Sequence, residues 1–423
     1  MGKADVGPSL EAVFREERGR LLASLVRRFG DLDLAEEVTS EAVEAALTHW
    51  PAQGVPARPG AWLLTTARRR AVDRLRRDQV YAARLAVLQA EADRASANAT
   101  ANGTDGEGGL PDERLQLFFT CAHPALAAED RVALTLRCLA GLTTPEVARA
   151  FLTPTATTAQ RIVRAKRKIR EARIPFRVPE PEELPERLPG VLQVLYSTFT
   201  EGYAASSGPR LQRLDLAEEA IRLARILHQL LPAQREAAGL LALMLLVHAR
   251  REARTGPDGA LVLLDEQDRA RWDGAMIEEG RGLVVTALRG GPPGPYGVQA
   301  AIAALHDEAA DLASTDWPQI VALYNVLLAL DPSPVVALNR AGAVAMRDGP
   351  EAGLALLEEL ADEHRLRRHH PYPAARGDLL QRLGRRPEAA TAYREALTLA
   401  GTEPERAHLR HRIRAVETPP EAG

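Results

Sequence analysis

The chain has 423 residues and a formal net charge of −3; 46% of its residues are hydrophobic and 26% are charged. This composition is typical of a soluble globular protein, and the length allows two to four domains. The two cysteines, Cys121 and Cys138, are too few for a disulfide framework, so we expect buried structural thiols.

The charge is distributed unevenly along the chain. Residues 1–178 carry 27 Lys and Arg against 22 Asp and Glu, a net +5, whereas the remainder carries 27 against 35, a net −8. This asymmetry predicts that only the first part contacts nucleic acid. The N-terminal residues lack a signal-peptide core and no apolar run reaches membrane-spanning length, so we expect a cytoplasmic protein without membrane contact.

Residues 10–78 read as a first helical domain. Apolar periodicity predicts one helix before residue 30, a second from an Asp33 cap to Trp50 with Leu47 among its inward positions, and a third over residues 61–77. The third helix is strongly basic, which is compatible with a DNA-binding helix or with a solvated face. Its candidate DNA contacts are Arg68, Arg69, Arg70, Arg74 and Arg77.

Residues 79–111 are predicted to be a flexible linker, because their second half is rich in Gly, Asn, Thr and Ala without an apolar period. A second helical domain follows over residues 112–174. Residues 141–173 resemble a helix-turn-helix: Thr143 and Glu146 form a capping box, and a basic helix follows the turn at Pro154.

The second helix of this motif has the side chains needed to contact DNA, which favours DNA binding over a basic helix that merely closes a bundle. Short hydroxyls near the helix start suit phosphate contact, Gln and Arg can bond base edges, and Lys suits phosphates. The candidate residues are Thr157, Thr158, Gln160, Arg161, Arg164 and Lys168.

The C-terminal part begins after a stiff, Pro- and Glu-rich hinge over residues 175–189, and residues 190–416 read as successive helices. Residues 349–355 match residues 386–392 at an offset of 37. Paired helices at such a period resemble tetratricopeptide repeats, whose period is about 34. His306 and Asp307 lack metal or catalytic-triad spacing and are assigned to a helical polar face, so we expect no enzyme, metal or cofactor.

These motifs, in this order, resemble the two conserved domains of an extracytoplasmic-function sigma factor of bacterial RNA polymerase. Residues 33–42 are similar to the family's region 2.2, residues 62–77 to its regions 2.3 and 2.4, and residues 141–167 to its region 4.2. The C-terminal part resembles the subgroup with a long tetratricopeptide-like extension. The resemblance implies an all-α fold: two small sigma domains and a helical-repeat domain.

The resemblance also implies partners and roles. The helix that starts near Asp33 would bind core RNA polymerase, the third helix would hold the −10 element of promoter DNA, and the helix-turn-helix would read the −35 element. The implied polymerase-binding residues are Asp33, Glu36, Glu37 and Glu41. The extension would regulate the sigma domains, with intramolecular docking as one route.

One alternative function remains open from the residues alone. A one-component DNA-binding regulator would also combine a helix-turn-helix with a helical domain that senses a ligand or partner. Such a regulator normally needs one DNA-reading unit. The second basic helix and the acidic region 2.2-like helix therefore favour the sigma factor.

Overall fold

The computed structural model describes residues 6–90, 114–151, 153–257, 259–367 and 369–418. In these ranges the regular structure is helical, with eighteen α-helices and only isolated β-bridges, which confirms the all-α prediction. Most of the predicted linker, residues 91–111, lies outside the described residues. The described chain divides into two compact units: the first ends at Val194 and excludes Ala148–Thr153, and the second comprises the rest.

The first unit opens with three mutually packed helices. Their core is formed by Leu22, Leu25, Val38 and Leu63, all fully buried. The three helices are α1 (Val6–Phe29), α2 (Leu32–Gln53) and α3 (Pro59–Ala90).

Three details of these helices differ from the sequence-based expectation. The N-cap of α2 is Asp31, whose Oδ1 accepts hydrogen bonds from the backbone N of Asp33 and Leu34 at 2.8 and 3.0 Å. The Asp33 side chain is therefore available to other partners. Leu47 is 53% exposed rather than buried, and α3 continues to Ala90, through residues predicted to begin the linker.

The remaining helices of the first unit build the second small domain. Phe118, Phe119 and Leu134 form its core, and both cysteines are buried as predicted. A hydrogen bond with Cys138, together with burial, raises the pKa of Cys121, which keeps the thiol protonated. The helices are α4 (Arg114–Cys121), α5 (Ala128–Thr135), a π-helix (Leu136–Ala140), α6 (Thr144–Ala150) and α7 (Thr155–Glu171).

Helix α8 (Leu184–Tyr203) begins inside the predicted hinge, so the irregular hinge is shorter than expected. From α9 (Leu214–Leu230) onward, each helix packs on the next one in chain order. Helix α10 (Arg235–His248) is apolar around most of its circumference and buried. These helices are α9 (Leu214–Leu230), α10 (Arg235–His248), α11 (Gly274–Leu288), α12 (Pro295–Glu308) and α13 (Trp317–Leu330).

The end of the chain forms helix pairs at the predicted repeat. Helices α15 (Pro350–Glu358) and α17 (Arg386–Leu399) occupy the same place in two successive pairs. Each has a Pro in its first turn, at the matched positions Pro350 and Pro387. The buried Gly353 and Ala390 occupy equivalent places in the two helices. The helices are α14 (Pro334–Asp348), α15 (Pro350–Glu358), α16 (Pro371–Arg382), α17 (Arg386–Leu399) and α18 (Glu403–Glu417).

Candidate nucleic-acid interface

Helix α7 has a buried stripe and an exposed polar side. Thr158, Ile162, Ala165 and Ile169 recur every three or four residues and are buried. The structure thus departs from the expectation for Thr158: its hydroxyl lies inside the domain, because residue 158 falls on the apolar side of the helix. Thr157, Gln160 and Lys168 are exposed and Arg161 is half-buried, so these four side chains remain accessible to DNA.

The predicted capping box is present at the start of α6, the helix before α7. The backbone N of Thr143 donates to Glu146 Oε2 at 2.6 Å, and the backbone N of Glu146 donates to Thr143 Oγ1 at 3.3 Å. This reciprocal pair fixes the start of α6, the first helix of the motif.

Arg164 is held by a carboxylate of its own domain. Its Nε and one terminal nitrogen donate to the two oxygens of Asp130, on α5, at 2.9 and 2.7 Å. Hydrogen bonding to the buried Asp130 raises the pKa of Arg164 above its ordinary value. This planar two-bond geometry occupies the guanidinium edge that base reading would need. By contrast, Arg161 and Lys168 have no ion pair within the described residues.

On the basic helix α3, too, some candidate arginines form ion pairs and others do not. Arg74 lies 2.6 Å from Glu37 and 3.2 Å from Glu41, and Arg70 lies 3.2 Å from Glu41. Two predicted −10 contacts are therefore paired with two predicted polymerase contacts on α2.

The other candidate cations of α3 are placed differently. Arg68 donates to Ser24 Oγ at 3.1 Å, and Arg77 Nε donates to the Asp73 carbonyl at 3.3 Å. Arg69 is exposed and forms no ion pair with any residue that the structure describes. Arg69 is thus the candidate most available to DNA on this helix.

The remaining two candidate polymerase-binding residues, Asp33 and Glu36, contact the helix-turn-helix domain. Lys166 Nζ lies 2.5 Å from Glu36 Oε2 and 2.8 Å from Asp33 Oδ1, and Arg170 lies 3.8 Å from Asp33. Glu36 is only 7% exposed. Burial alone would lower the pKa of Lys166, but the Glu36 and Asp33 carboxylates outweigh it and raise that pKa, so the ammonium stays charged.

Two further arginines complete this cluster around Glu36, and sequence reasoning missed both. Arg18, on α1, and Arg137, in the π-helix, lie 2.9 and 3.0 Å from Glu36 Oε1. Burial and the neighbouring Arg137 lower the pKa of Arg18. Neither arginine stands in a basic run, so the sequence offered no signal for them.

Asp307 departs from the expected helical polar face, because its side chain is buried. The Asp307 side chain is inaccessible and accepts a hydrogen bond from Arg250 Nε at 2.7 Å. Burial raises the pKa of Asp307 to about 6 and lowers that of His306 to about 4. The ion pair between Asp307 and Arg250 thus links α12 to the residues that follow α10. No group of three or more His, Cys, Asp or Glu side chains suited to a metal occurs in the described residues.

Comparison with known proteins assigns both domains of the first unit. Sigma-70 region 2 matches residues 13–80, and Sigma-70, region 4 matches residues 119–169. Both domains of the first unit are therefore sigma-70 domains. These regions make the chain a sigma factor that binds DNA and acts in promoter recognition and transcription initiation, with core RNA polymerase and promoter DNA as the partners of that role.

The other two matches carry no description of a function. Residues 187–288 match a family of unknown function, DUF6596. A protein of Rhizobium meliloti (strain 1021), described only as uncharacterized, is 44% identical over 398 residues, which cover 94% of this chain and 93% of that protein. Across the ranges that the structure describes, no helix is both long and apolar enough to cross a membrane.

Proposed function

We propose that this protein is an extracytoplasmic-function sigma factor in which α2 binds core RNA polymerase, α3 contacts the −10 element and α7 reads the −35 element. The exposed side of α7 supports the proposal most directly. There Thr157, Gln160, Arg161 and Lys168 lie outside the buried apolar stripe and on the same side of it, an arrangement that a groove-reading helix can use.

The four candidate polymerase-binding carboxylates lie on one helix, which supports the proposed role of α2. Asp33 and Glu37 are exposed, Glu41 is half-buried and Glu36 is buried. Each of them is matched by a cation of the chain itself, so an external partner must compete for these contacts.

We also propose that the second unit regulates the sigma regions. Residues 179–423, which include most of this unit, carry a net −8 against +5 for residues 1–178, and the Rhizobium meliloti relative matches this chain through both units. A tethered domain acts at millimolar effective concentration, so even a weak contact would be populated. Tetratricopeptide-like helix pairs would offer a protein-binding surface. We expect the protein to act in the cytoplasm, where its polymerase partner is.

Binding to core polymerase tests the proposed function. Full-length protein, labelled with a fluorophore, is titrated with purified core enzyme with and without an unlabelled housekeeping sigma factor as competitor. Saturable binding that the competitor displaces supports the proposal. Promoter-sized DNA bound without any affinity for core would instead favour the one-component regulator.

A further inference from the structure

A cavity lies among five consecutive helices of the second unit, and none of its lining residues has a proposed sigma role. Helices α12 to α16 contribute its walls, and its volume is about 370 Å³. Small-molecule sites in proteins measure about 300–1,000 Å³. The cavity therefore has the size of a site for one small molecule.

The walls of this cavity are mainly apolar and include two half-buried aromatic rings, Trp317 and Tyr324. Trp317 Nε1 donates to the Leu312 carbonyl oxygen at 3.2 Å, so the polar edge of the indole is already satisfied. His306 packs on Trp317 with 5.4 Å between ring centroids, and burial lowers its pKa to about 4, so it is uncharged at neutral pH. These walls favour a ligand with an apolar, aromatic body.

Gly342 leaves space for a ligand in the middle of α14. Residues 338, 342 and 346 follow one another by one helical turn, and all three line the cavity. A Cβ atom on Gly342 would meet no atom within 4 Å, so close packing does not require glycine here. Glycine inside a helix costs roughly 0.5–1 kcal/mol relative to alanine. That cost is consistent with a position that has to stay open.

One positive charge at the cavity has no carboxylate partner among the residues that the structure describes. Arg382, on α16, is exposed, and one of its terminal nitrogens lies 3.6 Å from Met346 Sδ. Asp378, one turn earlier, forms an ion pair with Arg412, which also donates to Tyr393 Oη at 2.8 Å. Since the charge of Asp378 is balanced, the cavity presents the charge of Arg382 to a ligand.

We propose that this cavity binds a small aromatic carboxylic acid, whose ring lies between the apolar walls and whose carboxylate pairs with Arg382. A guanidinium can donate two parallel hydrogen bonds to a carboxylate. One cation matches a monoanion better than a phosphate ester, which carries about −1.5 to −2 charges at pH 7. Such binding is a property of the second unit and does not depend on the proposed sigma role.

Two substitutions alter the cavity in different ways, and each has a matched control. Gly342→Phe fills the space beside α14, whereas Gly282→Phe makes the same change on α11, where a Cβ atom also meets no atom within 4 Å. Arg382→Gln removes the unpaired charge. Arg376→Gln removes a charge elsewhere on α16, from a residue that lies 3.9 Å from Glu358 and does not line the cavity.

Binding is measured on the full-length chain without polymerase or DNA, so its outcome is separate from that of the sigma-factor proposal. The probe is fluorescent anilinonaphthalene sulfonate, which has an aromatic body and one negative charge. We expect Gly342→Phe to raise the Kd of the probe by about tenfold or more, because the ring occupies the ligand volume. Arg382→Gln should raise it roughly three- to tenfold through loss of a charged contact near the surface. Both controls should keep the wild-type Kd.

Displacement of the probe by unlabelled compounds identifies the chemical class of the ligand. The series is indole propionate, its neutral amide and the cation tryptamine, with a peptide that ends in a leucine carboxylate as a separate arm. We expect the acid to displace the probe from the wild type at a concentration about tenfold lower than the amide or the amine. This advantage should disappear in Arg382→Gln.

Four results would overturn the proposal. If the wild type does not bind the probe, or if all variants share one Kd, the cavity does not take this ligand. Equal displacement by acid, amide and amine excludes recognition of the carboxylate. Displacement by the peptide but by no small acid makes a protein segment the occupant. If circular dichroism shows that Gly342→Phe is misfolded, Arg382→Gln, at an exposed position, decides the outcome.

Discussion

Arg161 and Lys168 are both accessible on α7, but their chemistry predicts different effects on DNA binding. Arginine can donate two parallel hydrogen bonds to a guanine, whereas lysine contributes a point charge near phosphates. We expect Arg161→Ala to cost roughly 1–3 kcal/mol of binding free energy and to relax the preference at one base pair. Lys168→Ala should weaken all sequences alike and lower the salt slope by about one.

Fluorescence anisotropy with a set of −35 variants at several salt concentrations measures both effects. The unrelated sequence in the set serves as the control for non-specific affinity. If Arg161→Ala weakened every sequence by the same factor, base reading by Arg161 would be excluded.

Arg164 is expected to act on its own domain rather than on a base, since both oxygens of the buried Asp130 hold its guanidinium. We predict that Arg164→Ala lowers the melting temperature of the first unit and leaves sequence preference largely intact. Arg161→Ala should relax the sequence preference and leave the melting temperature unchanged. Thermal unfolding and the same DNA set measure the two quantities, and a loss of specificity with unchanged stability in Arg164→Ala would contradict the assignment.

At the element scale, the close approach of α14 and α15 depends on Gly353. A Cβ there would lie 2.4 Å from Ala345 Cβ and 2.8 Å from the Ala341 carbonyl oxygen. We expect Gly353→Ala to destabilise the second unit by about 1–3 kcal/mol, because overpacking outweighs the better helix propensity of alanine.

Gly342→Ala is the matched control for this prediction. Gly342 lies in α14 with open space around its Cα, so the same substitution should stabilise by about 0.5–1 kcal/mol. Urea unfolding of both variants gives the free energies of unfolding. Equal effects of the two substitutions would show that the helices are not in close contact at Gly353.

His248, at the end of α10, is expected to make the second unit sensitive to acid. Its side chain is 1% exposed and packs on Phe199, with 6.4 Å between ring centroids. Burial first, and then Arg251, lower its pKa to about 4. Unfolded histidine binds a proton near pH 6.5. The stability that neutral His248 contributes is therefore complete above pH 6.5 and is lost as the pH falls towards 4.

His248→Phe should reduce this acid sensitivity. We expect the variant to lose fewer degrees of melting temperature than the wild type between pH 7 and pH 4.5. His364→Phe, at an exposed position, is the control and should lose as much melting temperature as the wild type over this pH range. Identical losses in wild type and His248→Phe would show that His248 does not remain neutral in the folded protein.

The existence of the helices was predictable, because apolar periodicity and capping residues are local signals. Several helix boundaries and ion-pair partners were not predictable from the sequence. Asp31 and Asp33 both precede the apolar stretch of α2, and only backbone geometry selects Asp31 as the cap. The end of α3 is an exception, because residues 79–90 carry helix-forming alanine and leucine that favour a longer helix than the one predicted. The Glu36 cluster joins three helices and the π-helix, and no local pattern encodes such distant contacts.

At the scale of the whole molecule, the protein combines a first unit with both sigma-70 regions and a larger helical second unit. If the second unit regulates the first, a chain that ends after Val194, the boundary of the first unit, should differ from the full chain in promoter-directed transcription. Coupling energies between sites of 1–3 kcal/mol correspond to about fivefold or more. Circular dichroism of the shortened chain controls for folding, and equal activity of folded short and full chains would contradict regulation by the second unit.

Run-off transcription with purified core polymerase tests the central claim most directly. Full-length protein is added to core enzyme and a library of promoter fragments, and transcript start sites are mapped. We predict initiation at a defined set of promoters that share −10 and −35 sequences and that core alone does not use. DNA binding without any initiated transcript, under conditions in which the same core initiates with its housekeeping sigma factor, would contradict the assignment of this chain as a sigma factor.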